Sequence, residues 1–93
     1  MALGLYFRSP GFTRALYDQA VKELDKAGAG FGKVPGRTFH CALELDGMIS
    51  VFDIWESKEQ FEKFGETLVP IMNRLGVDPG QPQIMTVHKV QNG

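Results

Sequence analysis

The chain has 93 residues, of which 43% are apolar and 23% charged, the composition of one ordinary globular domain spanning 1–93. Its formal net charge of −1 gives no bulk attraction for nucleic acid or for an anionic membrane, so neither is an expected partner. The single cysteine, Cys41, excludes an internal disulfide and a cysteine-based zinc site. Without a membrane-length apolar run or a signal-peptide pattern, we expect a cytoplasmic protein.

Three segments account for the first part of the chain. Apolar and other residues alternate from Leu3 to Phe7, which predicts a first strand. From Thr13 to Ala27 the apolar residues recur with helical spacing, and Gly28 is a plausible stop. The glycine-rich segment 28–36 looks like a phosphate-binding loop, but it follows a helix and leads into a strand, which is the wrong context. We therefore interpret it as a flexible connector.

The second part of the chain begins with two apolar stretches around Asp46-Gly47, a strong signal for a two-residue hairpin. Ser57 is the expected N-cap of a second helix. Pro70, inside that helix, should produce a kink or an interruption. Gly76 should end that helix, and Ile84 to Val90 reads as a last strand.

The resulting order, β-α-β-β-α-β, predicts a ferredoxin-like α+β fold. In this arrangement a four-stranded antiparallel sheet carries both helices on one face. The other face is left bare and apolar, so we expect a homodimer.

The hairpin signal also pairs two polar side chains. If Asp46 and Gly47 are the turn, counting outward places His40 opposite Asp53 and Thr38 opposite Trp55. Opposed side chains on one face lie ~5 Å apart at Cβ, within reach of a hydrogen bond. A carboxylate orients an imidazole and selects its tautomer, which prepares a general base.

Two interpretations of this pair remain open. His40 and Asp53 are either a catalytic pair or a buried polar pair in which each group offsets the cost of burying the other. Trp55, next to them, is either a wall for a flat ligand or a core residue. Tyr17 lies on the apolar stripe of the first helix, where a core role is the more common one. His88 should lie at the opposite edge of the sheet from His40, so we expect no metal site.

The segment "ISVFDIWESKEQFEKF" resembles the third strand and second helix of antibiotic-biosynthesis-monooxygenase-like domains, which belong to the dimeric α/β-barrel superfamily. The run Trp55-Glu56-Ser57 is the most specific part of the resemblance. The resemblance implies two ferredoxin-like subunits that pack their bare sheet faces together, each with a cavity between its sheet and helices.

The same resemblance implies possible activities. Some relatives are cofactor-free oxygenases of polyphenolic substrates such as anthrones, and others degrade haem, isomerise lactones or cyclise polyketides. A cavity-lining tryptophan of those oxygenases corresponds to Trp55. Val51 stands where they often have an amide, which counts against the same chemistry. Phe64 stands where many members have a histidine, the iron ligand of the haem-degrading ones, so we expect neither haem nor any other cofactor.

These observations lead to one preferred hypothesis and one alternative. The preferred one is an enzyme in which His40, oriented by Asp53, removes a proton from a small aromatic or polyketide-like substrate. The expected substrate-binding residues are Trp55, Thr38, Val51, Phe64 and Tyr6. The alternative is a non-catalytic ligand-binding or structural dimeric domain. In its structural form, the cavity is filled by Phe12, Phe31, Phe61, Phe64 and Met72.

Overall fold

A computed structural model describes residues 2–93 and confirms the predicted order of elements. The elements are β1 (Leu3–Arg8), α1 (Arg14–Lys26), β2 (Arg37–Leu45), β3 (Met48–Trp55), α2 (Lys58–Arg74) and β4 (Gln83–Thr86). The strands form one four-stranded sheet in the order β2-β3-β1-β4, and every neighbouring pair is antiparallel. This is the ferredoxin-like α+β fold. No helix within residues 2–93 has the length and apolarity needed to cross a membrane.

The β2–β3 hairpin has the predicted turn. Asp46 and Gly47 both have positive φ, 53° and 79°, as a turn that follows the twist of the strands requires. The register places Leu45 opposite Met48 and His40 opposite Asp53, as counted from the sequence.

The far end of the hairpin differs from the prediction. A β-bulge between Arg37 and Phe39 leaves Thr38 without a cross-strand partner, and Arg37 is the residue that faces Trp55. The predicted pairing of Thr38 with Trp55 is therefore wrong. The Thr38 hydroxyl instead donates to the Ile54 carbonyl, at 3.4 Å, which holds the extra residue against β3.

Both helices begin at a capping hydroxyl, of which the one at Ser57 was predicted. The Thr13 hydroxyl accepts from the Leu16 N–H in α1, and the Ser57 hydroxyl accepts from the Gln60 N–H in α2. Of the two effects predicted for Pro70, a kink or an interruption, the interruption does not occur, because α2 continues through Pro70 to Arg74. Pro70 lies on the exposed face, so the carbonyl that lacks its partner, four residues earlier, remains accessible to water.

The last strand is shorter than predicted and ends at Thr86 rather than Val90. The cause is the partner strand: β1 begins at Leu3, which pairs with Thr86, so little of β1 is left to pair with later residues. One further hydrogen bond, from the Val87 N–H to the Ala2 carbonyl, continues the ladder.

The core lies between the helices and the sheet, in two clusters. The first contains Phe12, Ala20, Ile49, Ile71, Met72 and Val77. The second contains Leu5, Val34 and Trp55, with Phe7, Phe61 and Phe64 packed against it. The opposite sheet face, which we call the back face, carries Phe39, Leu43, Leu45 and Met85 with large exposed fractions.

Candidate functional site

A cavity of about 90 Å³ lies between the sheet and the two helices. Strands β1, β2 and β3, both helices and the segment from Ala29 to Phe31 all contribute to its wall. Most lining side chains are apolar. The polar lining residues are Ser9, Tyr17, Arg37, His40 and Asp53. The cavity reaches the surface at Phe31, which lines it and is 59% exposed.

Three of the polar side chains form a continuous hydrogen-bonded chain, which we call the triad: Tyr17, His40 and Asp53. His40 Nδ1 lies 2.6 Å from Asp53 Oδ1, and His40 Nε2 lies 2.7 Å from the Tyr17 hydroxyl oxygen. The Tyr17 and His40 rings are nearly parallel, at 7°, with their centres 6.1 Å apart. Hairpin register sets the His40–Asp53 bond, and packing of α1 on the sheet sets the Tyr17–His40 bond.

The chemistry of the groups sets the direction of each hydrogen bond. An ionised carboxylate only accepts, so Nδ1–H donates to Asp53. In a neutral imidazole the other nitrogen is then an acceptor, and the Tyr17 O–H donates to Nε2. Burial raises the pKa of the Tyr17 hydroxyl above its ordinary value, and the Arg37 charge only partly opposes this shift. Tyr17 is therefore a neutral phenol at physiological pH.

The triad is well shielded from water. Asp53 is 3% exposed, and it packs within the sheet opposite both His40 and Leu5. Phe31 covers the outer side, with its ring centre 5.4 Å from that of His40. A carboxylate this deeply buried needs its hydrogen bond, because an unpaired charge in that position is costly.

The structure brings together four of the residues predicted from sequence. His40, Asp53, Val51 and Phe64 all line the cavity. The other three lie elsewhere. Tyr6 pairs with Phe52, which places it on the back face, and Thr38 is exposed at the bulge.

Trp55 also lies outside the cavity wall. It is fully buried in the second core cluster, with its ring centre 5.6 Å from that of Phe61 and 5.4 Å from that of Phe64. Its indole N–H has no hydrogen-bond partner within residues 2–93. Trp55 therefore packs against Phe64, which does line the cavity, without lining the cavity itself.

Sequence analysis missed three polar residues of the cavity: Ser9, Tyr17 and Arg37. Tyr17 was interpreted as a core residue, yet its hydroxyl is part of the triad. A usable signal existed, since a tyrosine on a buried stripe needs a partner for its hydroxyl and His40 was already a candidate. Arg37 had no such signal, because the bulge that aligns it with Trp55 is not visible in the pattern of apolar residues.

Among residues 2–93, no three His, Cys, Asp or Glu side chains lie close enough together to hold a metal ion. His88 is exposed on the far side of the sheet, beside a groove of about 530 Å³ between the back face and residues 86–92.

No family model and no curated protein matches the sequence. Several solved structures have the same fold. Protein YJCS is 14% identical with a TM-score of 0.66, over 95% of this chain and 100% of that chain. A provisionally described antibiotic biosynthesis monooxygenase from Chloroflexus aurantiacus J-10-fl is 18% identical with a TM-score of 0.61, over 99% and 95% of the two chains. SnoaB, a cofactor-independent oxygenase from Streptomyces nogalater, is 15% identical with a TM-score of 0.58, over 96% and 93%. At these identities the likeness is one of fold, and it confirms the resemblance of the chain to the ferredoxin-like, antibiotic-biosynthesis-monooxygenase-like fold.

Proposed function

We propose that this chain is a cofactor-independent enzyme that removes a proton from a small aromatic substrate in the cavity between sheet and helices. The observation that carries the proposal is the triad, a part-buried Tyr17–His40–Asp53 chain on the cavity wall. A structural domain has no need for three linked titratable groups beside a mostly apolar cavity. General acid–base catalysis does need a base whose proton has a defined path away.

The proton path follows from the direction of the hydrogen bonds. The substrate gives its proton to the Tyr17 oxygen while the Tyr17 proton moves to His40 Nε2. Asp53 holds the ring in the required tautomer and stabilises the imidazolium that forms. Because burial raises the pKa of Tyr17, the phenolate does not accumulate beforehand, and Tyr17 starts the reaction as a neutral phenol.

The fate of the deprotonated substrate defines the reaction. With O₂ as co-reactant, a carbanion R₂CH⁻ adds oxygen to give a peroxide, which takes up a proton and loses water to give the ketone R₂C=O. The fold shared with SnoaB, itself a cofactor-independent oxygenase, supports this outcome. Val51, in place of the amide of related oxygenases, favours the oxygen-free outcome, in which the proton returns to a different carbon.

Cavity volume restricts the substrate. About 90 Å³ is well below the ~300 Å³ of ordinary small-molecule sites, and an anthrone does not fit in that space. A single-ring substrate fits only with small side-chain shifts, whereas a larger one requires Phe31 to turn away from the entrance. Phe31 lies between Gly30 and Gly32 and is largely exposed, so its movement uncovers little apolar surface.

The small volume also supports the alternative, a structural domain whose cavity is filled by side chains. Phe12, Phe31, Phe64 and Met72 do contribute to the wall, although Phe61 does not. A direct test compares proton exchange and oxygen uptake with a series of one- to three-ring enolisable substrates. Deuterium incorporation in D₂O reports deprotonation whether or not O₂ reacts.

The decisive variant is His40→Gln, with His88→Gln as its control. Loss of the base should lower the exchange rate roughly 10²-fold or more, while the exposed histidine on the other face should have no effect. Equal rates in wild type and His40→Gln would dismiss the catalytic role. Binding without exchange supports a ligand-binding module, and neither binding nor exchange supports a structural domain.

We also propose that the chain forms a homodimer through the back face. Leu43 and Leu45 are 54% and 73% exposed there, and Phe39 and Met85 add to the same apolar surface. Monomeric proteins seldom leave such a contiguous surface in water. Sedimentation velocity should give a dimer at tens of micromolar, and Leu43→Glu should give a monomer. A monomeric wild-type chain at that concentration contradicts the proposal.

A further inference from the structure

Arg37 is the one cationic side chain among the polar lining residues of the cavity, other than His40 when protonated. It is half-buried at the start of β2, where the bulge turns it toward the helices. Its guanidinium carbon lies 5.6 Å from the ring centre of Phe31 and 5.4 Å from that of Phe64. Both distances are within the range of cation–π contacts, so the two rings hold the guanidinium at the entrance.

This guanidinium has no anionic partner within residues 2–93. Arg14 and Arg74 are paired with Glu44 and Glu23, but Arg37 makes no ion pair and no side-chain hydrogen bond there. The carboxylate on the same cavity wall, Asp53, bonds to His40 instead. Five N–H donors therefore remain beside an apolar cavity, where a charge is more costly than at an open surface.

We propose that Arg37 binds the carboxylate of an aromatic acid, so that the substrate class of the cavity is small aromatic carboxylates. A planar guanidinium pairs with a planar carboxylate through two parallel hydrogen bonds. Phe31 and Phe64, which also line the cavity, would contact the attached ring. This inference rests on the proposed function only in taking the cavity to be the substrate site.

The choice of a carboxylate follows from the charges on the wall. Asp53 faces the same space, which disfavours a multiply charged anion such as phosphate. Arg37 also lies close enough to Tyr17 to act on its pKa, so an acid bound to Arg37 lies beside the triad. The binding group and the proton-transfer group thus share one small cavity.

A titration with benzoate and with its neutral isostere benzamide, followed by ¹H–¹⁵N NMR, tests this directly. Benzoate should bind wild type at least about tenfold more tightly than benzamide, as hydrogen bonds to charged groups warrant. Arg37→Gln should remove this preference. Arg37→Lys should keep part of it, because lysine keeps the charge but loses the paired geometry. Arg74→Gln, which removes an equal charge from an exposed arginine, should bind like wild type.

Three outcomes overturn the proposal: equal affinity of wild type for the two probes, a preference that survives in Arg37→Gln, and no benzoate binding at millimolar concentration. His40→Gln separates this proposal from the proposed function, since it should keep the benzoate preference while losing proton exchange. If proton exchange depends on His40 but benzoate binding does not depend on Arg37, the carboxylate proposal is wrong and the proposed enzymatic function stands. If the benzoate preference depends on Arg37 but no substrate exchanges its proton, the proposed enzymatic function is wrong and the carboxylate-binding site stands.

Discussion

His40→Ala should destabilise the fold mainly because it leaves the buried Asp53 carboxylate without a hydrogen-bonding partner. Asp53 is 3% exposed, and within residues 2–93 its side chain has a hydrogen-bonding partner only in His40, at 2.6 Å. The substitution leaves the buried carboxylate without its hydrogen-bond donor, and an uncompensated buried charge costs about 3–5 kcal/mol. Water can enter the neighbouring cavity and solvate the carboxylate, so we expect the low end, about 3 kcal/mol. That is a large fraction of the stability of a domain of this size.

The double variant His40→Ala/Asp53→Ala gives the sharper result. Removing the uncompensated carboxylate should restore stability, so the double variant should exceed His40→Ala by about 1 kcal/mol or more. Glu44→Ala is the matched control, because it removes a carboxylate paired with Arg14 on the exposed surface. It should cost less than about 1 kcal/mol.

Urea unfolding at pH 7, followed by circular dichroism, measures the free energies of unfolding of five proteins: wild type, His40→Ala, Asp53→Ala, the double variant and Glu44→Ala. Protein concentration must be the same throughout, because dimerisation would make the midpoint depend on it. The reasoning is refuted if the effects of His40→Ala and Asp53→Ala add in the double variant, or if His40→Ala stays within about 0.5 kcal/mol of wild type.

Three further predictions concern Tyr17, Gly36 and Pro70. The raised pKa of Tyr17 stabilises the fold below pH ~10, and this contribution is lost as the pH rises through the pKa of the folded state. The absorbance titration at 295 nm of wild type, minus that of Tyr17→Phe, should therefore have its midpoint above 10. A midpoint at or below 10 would show that the Arg37 charge outweighs burial. Gly36→Ala should cost more than Gly32→Ala in thermal unfolding, since both glycines have positive φ but only at Gly36 does an added Cβ meet Gln60; equal losses would show that backbone strain alone decides. Pro70→Ala should stabilise the chain by about 1 kcal/mol or more by restoring a helix hydrogen bond, and a lower unfolding midpoint would show that Pro70 is favourable where it stands.

Local patterns predicted the parts of the fold that depend on neighbouring residues. Asp46-Gly47 determined the hairpin register, and with it the pairing of His40 with Asp53, because a two-residue turn leaves no freedom in counting outward. Ser57 marked the start of α2 through a hydrogen bond within one helical turn.

Features that depend on distant segments were not predictable in the same way. The end of β4 is determined by where β1 begins, and the bulge at Thr38 has no pattern of its own. The Tyr17–His40 bond depends on how α1 rotates on the sheet, which its apolar stripe defines only approximately. Continuation of α2 through Pro70 depends on solvent access to a single carbonyl.

The central claim is that Tyr17, His40 and Asp53 form one proton path, and the tautomer of His40 tests it most directly. A long-range ¹H–¹⁵N spectrum, recorded in a pH series up to the range where the ring is neutral, distinguishes the two ring nitrogens. His88→Gln leaves only the signals of His40. The account predicts a protonated Nδ1 and an unprotonated Nε2, and a change of the Nε2 shift in Tyr17→Phe. A neutral ring protonated on Nε2, or an Nε2 shift that Tyr17→Phe leaves unchanged, contradicts the proposed path.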